Sequence, residues 1–452
     1  MITLYTPATG LPDLEAKIAY GLARVGIEAY GSENVVVKEE GGFYAVEIDG
    51  RMDILDEMLN LLLRRLLASP HIPSSTPGIT GRTAESICFD SEDMSSLSIY
   101  REIDFTSKNT SSEALCRHKG KKISNVIGLS ASTSYHHRRD GLDVVMRHRP
   151  TNPKKICKDC GMVSLLGMWY ASFIFSIKNR EVFVIPIPKG ETNGERLIEL
   201  FSLQHHVRNW YFNLDISQVV IPLLFLSKIP SSADILYGFE LFIGVLSRPQ
   251  GYHVDGLFMV PIDNYLRFLK DNPYNIASID LMVKKEATVA LEELNHIVYA
   301  NDSRTLGKFA RIYIQQTSTS LYPPTSKYLL KEVAMIKQEI VENEALQSLA
   351  RTLRYFVRER KYQYADNIRN ARKEARDFEE TIAKMLREGE LRRVQQEEDK
   401  KKRKEIKNWI YLPKEDEIKE VFKLANECFE EVKLTLVTLA FSFPEREEEQ
   451  RR

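Results

Sequence analysis

Two cysteines separated by two residues, Cys157 and Cys160, with Gly161 directly behind them, constrain this chain more than any other local feature. Thiolates at that spacing both reach one tetrahedral ion, and a following glycine lets the knuckle turn. Two further ligands are required. The nearest matching element is Cys116-Arg117-His118-Lys119-Gly120, in which a thiolate and an imidazole alternate before a glycine. Together they predict a Cys3His site of Cys116, His118, Cys157 and Cys160 holding a structural zinc that ties two distant segments. His118 has rivals of the same chemistry in His136, His137 and Cys88. The alternative for any of these thiols is packing as a small hydrophobe. That is the expectation for Cys428, which falls on the apolar stripe of the last helix.

The pattern speaks against a catalytic metal. Zinc deaminases need His-x-Glu ahead of Pro-Cys-x-x-Cys, whereas Ile156 precedes Cys157 and no His-x-Glu lies upstream. A His-Glu-x-x-His helix, a phosphate-cradling Gly-x-x-x-x-Gly-Lys and a Gly-x-Ser-x-Gly elbow are also missing. His136-His137-Arg138-Arg139-Asp140 has the look of a metal-nuclease cluster but lacks a second acidic partner at helical spacing. It carries the rival reading, a metal-dependent nucleic-acid processing enzyme.

Between the two knuckles the chain is strongly basic. From residue 117 to 159 there are eleven Lys and Arg side chains against three Asp, leaving +8 within a chain whose 63 basic and 63 acidic residues cancel as a whole. Bulk charge is therefore silent about partners, and local clustering is the signal. Lys119, Lys121, Lys122, Asn125, Arg138, Arg139, Arg147 and Arg149 are the candidate nucleic-acid contacts, with Lys121, Lys122 and Asn125 the candidates for the groove. Gln250, in the Gly-flanked turn Pro249–Gly256, is a candidate wedge. The plainer reading of such a run is a solvated surface loop. Arg351, Arg354 and Arg358 lie on neighbouring helical turns and suit a phosphate backbone, yet Glu342, Glu344 and Glu359 dilute their field, so a solvent face is expected.

At 452 residues, 43% hydrophobic and 28% charged, the chain suits a globular protein of two or three domains. Five unevenly placed cysteines make no disulfide scaffold, and Met1–Gly10 does not resemble a signal peptide. A cytoplasmic, reducing setting is expected, with no membrane association. The abundance of Lys and Glu fits a thermophilic source.

Periodicity predicts an α+β fold. A strand at Ile2–Thr6 is followed by a helix through Leu14, Ile18, Leu22 and Val25 with a stop at Gly26. A hairpin of Val35–Lys38 and Phe43–Ile48 turns at Gly41–Gly42, and Leu55 to Leu66 form a second helix, a start related to a ferredoxin-like layer. Gly161–Ile177, the longest uncharged stretch, is expected as buried strands. A second hairpin pairs Ala171–Lys178 with Val182–Ile187, and a helix is expected over Glu195–Phe212; the apolar runs Val219–Leu226 and Leu241–Leu246 are too short to classify. Three amphipathic helices follow, one from Leu329 to Phe356, one from Ile368 to Met385 and one from Ile418 to Leu439, forming a C-terminal helical bundle. The expected segments are residues 1–112, an N-terminal α+β domain with a Ser/Pro-rich loop; 113–325, a central basic zinc-knuckle and β-rich domain; and 326–452, the bundle, with the N-terminal and central regions mixed α/β and the zinc knuckle an insertion.

The Thr6-Pro7 turn running into Glu15-Ala16-Lys17-Ile18-Ala19-Tyr20-Gly21-Leu22, the mid-chain Cys157–Cys160 knuckle and the helical last third resemble the large subunit of the archaeal type I-A CRISPR interference complex, Cascade. That resemblance implies a non-enzymatic subunit that reads a short motif flanking the target and helps open duplex DNA for a separate helicase–nuclease. Its partners would be target DNA, guide RNA, other subunits of the complex and that helicase–nuclease. A zinc-containing scaffold whose basic loop meets RNA is the third reading.

Overall fold

The structure is a computed structural model. It describes residues 1–68, 105, 106, 108, 116, 118, 122–124, 155–207, 210–229, 234–247, 253–270, 272–373, 376–402, 404, 406 and 408–442. Its contacts gather the chain into two compact units, Met1–Gln218 with Ser231–Asp263, and Val219–Pro230 with Asn264–Arg452. The division expected at residues 112 and 325 does not follow these contacts. The four- and five-stranded sheets share one unit with the N-terminus, because the first helix packs on strands of both.

Strand β1 (Ile2–Tyr5) leads into α1 (Pro12–Tyr30), with Pro12 at its first turn, where a missing N–H costs nothing. The helix does not stop at Gly26. It runs to Gly31, whose φ of 91° and N–H bond to the Ile27 carbonyl (2.9 Å) close it. Gly26 is instead a packing position, since a Cβ there would lie 2.7 Å from Ile48 Cδ1. Strands β2 (Val35–Glu39) and β3 (Tyr44–Ile48) form the expected antiparallel hairpin, and β3 also pairs antiparallel with β1. β1 and β2 thus flank β3 with α1 connecting them, the split β-α-β half of a ferredoxin-like layer. Helix α2 (Met52–Ala68) follows, burying Leu55, Leu59, Leu62, Leu63 and Leu66.

Strands β4 (Lys122–Ser124) and β5 (Lys155–Cys157) pair antiparallel, and β5 runs straight into α3 (Lys158–Ala171). Most of the stretch expected as buried strands is therefore helix, with only its end forming β6 (Phe173–Ile177). The cause is full burial: α3 is apolar on every side, so it shows no 3.6-residue alternation to read. β6 and β7 (Arg180–Pro188) make the second expected hairpin, and the turn at Gly190 sends the chain into β8 (Glu191–Asn193), which pairs with β2. Helix α4 (Gly194–Val207) ends before the expected boundary, and Tyr211–Phe212 form β9, parallel to β6.

The apolar run at 219–226 becomes α5 (Ile221–Ser227), and that at 241–246 becomes part of β10 (Phe239–Ser247), which pairs with β7 and with β11 (His253–Pro261). The sheet orders are β1-β3-β2-β8 and β11-β10-β7-β6-β9. Gly256, expected in a turn, lies in β11 opposite Val245, beside a register shift. A Cβ on it would meet Gln218 Oε1. α1 touches strands of both sheets, and the buried Tyr20 hydroxyl donates to the Pro186 carbonyl on β7.

The second unit, to which α5 belongs, is helical: it adds α6 (Asp263–Lys270), α7 (Pro273–Lys284), α8 (Thr288–Ala300), α9 (Leu306–Thr317), α10 (Pro323–Tyr328), α11 (Gln338–Val341), α12 (Glu344–Arg358), α13 (Gln363–Asn370), α14 (Asp377–Lys401), α15 (Glu415–Glu427) and α16 (Phe429–Ala440). The bundle is present, but each expected long helix is interrupted. The first breaks after a π-type turn at Leu329–Val333, where Met335 takes φ 55°, and restarts as α12 with the Asn343 side chain capping the Leu346 N–H (3.0 Å). The second breaks at Ala371, and the third at Cys428. Cys428 is half-buried at that break, its thiol donating to the Leu424 carbonyl, rather than a core residue. Apolar spacing of three and four survives each break, which is why the sequence shows one stripe.

Candidate metal centre

Cys157 closes β5 and is the residue before the first turn of α3, so its Sγ accepts the Cys160 N–H at 3.3 Å. That places both sulfurs at a helix N-terminus, where the peptide dipoles favour negative charge. Cys116 approaches from the other side, its Sγ accepting the Cys157 N–H at 3.1 Å. His118 Nδ1 lies 3.3 Å from Cys160 Sγ and 3.4 Å from Cys157 Sγ. One ligand atom from each of the four residues lies within 4.8 Å of the other three. All are buried: the cysteines are 0–3% exposed and His118 8%.

Four donors so placed can hold one metal ion. Tetrahedral Zn–S and Zn–N bonds would set sulfur–nitrogen edges near 3.5 Å and sulfur–sulfur edges near 3.8 Å, by geometry. The observed sulfur–nitrogen contacts match that edge, and the soft three-sulfur, one-nitrogen set is one that zinc takes. Electrostatics point the same way. With only protons to share, hydrogen bonds from Cys157 and Cys160 hold the Cys116 thiol far below its usual range. The Cys157 thiol is pushed up to about 12, first by its hydrogen bond with Cys116, and burial pushes Cys160 up. Three thiolates this close need a cation to ionise together.

The surroundings fix the site to the core. The Phe105 ring meets the His118 imidazole edge-on at 4.8 Å, and the Phe105 carbonyl accepts the Tyr5 N–H at 2.7 Å, so the segment bearing His118 is tied to the edge of the first sheet. On the other side α3 crosses α1 at glycines. A Cβ on Gly167 would lie 1.7 Å from the Lys17 carbonyl oxygen, and one on Gly21 would lie 2.2 Å from that of Val163. Neither Phe105 nor the glycine crossing was anticipated as part of the site; Gly167, inside an otherwise apolar run, was the legible trace.

The four expected metal ligands are thus brought together, His118 among them. Lys122 lies in β4, its backbone paired with Cys157, while its side chain is outside the described residues. Lys119, Lys121, Asn125, Arg138, Arg139, Arg147, Arg149 and Gln250 lie outside the described residues, as do Cys88, His136, His137 and Asp140. Of the helical arginines, Arg351 is exposed and Arg358 half-buried, whereas Arg354 closes the end of α16, donating to the carbonyls of Leu439 (3.2 Å) and Ser442 (2.6 Å). No helix among the described residues is long and apolar enough to cross a membrane. No protein-family model and no curated protein matches the sequence.

Proposed function

We propose that this chain is a non-catalytic nucleic-acid-binding subunit of a guide-RNA-directed interference complex, with a structural zinc in the Cys116, His118, Cys157 and Cys160 site. The carrying observation is the gathering of four donors from two distant segments within 4.8 Å. Those segments bracket the basic stretch in sequence, and β4 and β5, on either side of residues 125–154, pair antiparallel. Zinc there would tie the described segments on either side of the basic stretch to one ion. All four positions of the tetrahedron are filled by protein, which leaves no open site for a reacting water.

The cations of the basic stretch neutralise phosphates and release counterions, while base pairing with a guide reads the target. The resemblance to the type I-A large subunit supplies the rest of the reading: recognition of a flanking motif on target DNA, contact with guide RNA and neighbouring subunits, and delivery of opened DNA to a separate helicase–nuclease.

Elemental analysis of the purified chain should find one zinc per molecule. Binding to duplex DNA, titrated across salt, should weaken on Lys121→Glu with Lys122→Glu, and the slope of log affinity against log salt should fall by about two, one per lost phosphate contact. Absence of stoichiometric metal, or an unchanged affinity at low salt, would overturn the reading. Cleavage of DNA or RNA with Mg²⁺ or Mn²⁺, abolished by His137→Ala, would make the chain an enzyme instead.

A further inference from the structure

Helix α14 is two-faced in a way the bundle does not use up. Phe378, Thr381, Ile382, Met385 and Gly389 bury its inner side. Beyond Gly389 the inner side is held by the 408–412 segment: a Cβ on Gly389 would meet Leu412 and Ile410, and the Gln396 amide bridges the Asn408 carbonyl (2.7 Å) and the Ile410 N–H (3.1 Å). At 100° per residue, Arg387, Leu391, Val394 and Glu398 fall on the opposite ridge. Leu391 is 69% and Val394 55% exposed, on a helix whose other exposed side chains are almost all charged or polar. Arg387 and Glu398 are exposed too, with no ion-pair partner among the described residues.

The spacing is four, three, four, that of a coiled-coil seam, and it extends outward to Lys384 and Lys401. The order of charges selects an occupant. In a parallel pair Arg387 would face Arg387 and Glu398 would face Glu398. In an antiparallel two-fold pair centred between Leu391 and Val394, each Leu391 meets the other copy's Val394, and each Arg387 meets the other copy's Glu398. The one like-charged match, Lys384 with Lys401, lies at the outer ends of the seam, and Lys384 already pairs with Glu380 of its own helix (3.4 Å).

We propose that this ridge is a self-association seam on which a second copy of the chain docks antiparallel, through Leu391 and Val394 flanked by two Arg387–Glu398 ion pairs. The patch is self-complementary, as a two-fold contact must be. It covers about three turns, well under the area of a permanent dimer, so the pair is weak and exchanges rapidly.

Sedimentation equilibrium of the purified full chain tests the seam. The wild type should dimerise reversibly with a Kd on the order of 0.1–1 mM. Leu391→Glu with Val394→Glu should abolish dimerisation, and because both positions face solvent the fold should be unaffected, which circular dichroism would check. Arg387→Glu alone and Glu398→Arg alone should each weaken association about tenfold or more, and an equimolar mixture of the two should restore it, because each like-charged contact becomes an opposite pair. A wild type that stays monomeric to about 1 mM, association indifferent to these changes, or a mixture no stronger than its parts would overturn the proposal.

Discussion

Cys116, Cys157, Cys160 and His118 show how little a residue's neighbours in sequence say about its charge state. The first sulfur is driven toward thiolate by hydrogen bonds from the other two, and those two are driven toward thiol. A shared cation removes the conflict by letting all three ionise. Asp302 is a simpler case. Its carboxylate accepts hydrogen bonds from the Arg304 side chain and from the Arg304 N–H (3.0 Å), which bring its pKa from 3.8 to about 2. A depressed carboxylate stabilises the fold fully above its unfolded value, and that contribution disappears as pH falls through the folded one. The carboxyl carbon of Asp302 should therefore titrate by NMR near pH 2, and Asp302→Asn should flatten the acid limb of the stability curve between about 4 and 2.

Among the elements, α3 carries the most. Its N-terminus holds two ligands, and its middle lies against α1 so closely that Gly167 and Gly21 leave no room for a side chain. The backbone contact is with Lys17, a residue of a helix that buries Asp13, Glu15 and Lys17 as well as its apolar positions. Gly167→Ala should force the helices apart and cost about 2–3 kcal/mol, an overpacking penalty against rigid backbone. Chemical denaturation would measure it, and a loss below ~0.5 kcal/mol would mean that the crossing is looser than drawn. Displacing α3 also moves Cys160 relative to Cys116, so on the proposed reading the variant should bind zinc more weakly than the parent.

Across the molecule, all four candidate ligands belong to the unit containing the sheets, while the helical unit is built from its own contacts. A bound ion present at a thousandfold its Kd stabilises the folded state by about 4 kcal/mol. On the proposed reading, removing the zinc with a strong chelator should therefore act on one unit. Hydrogen exchange followed by mass spectrometry should show faster exchange in α1, α3 and the first sheet, with α12 and α16 unchanged. Equal deprotection of both units would mean that they unfold together.

The sequence by itself determined the three cysteines of the candidate metal site, the first hairpin, α2, the strands around Asn179 and the helical character of the last third, and it left His118 one of several candidates for the fourth position. Each rests on short-range chemistry: ligand softness and spacing, glycine at a turn, or apolar residues recurring every two or every three to four positions. Only the tertiary structure decided that Gly161–Ala171 is a helix, that Gly26 is a packing position, and that the long apolar stripes are broken at Met335, Ala371 and Cys428. It also decided that Arg354 seals a helix end. A helix buried on all sides has no polar face to set its period, and a glycine looks the same whether it ends a helix or admits a neighbouring one. Those choices are made by what packs against the residue, and the partner is remote in sequence.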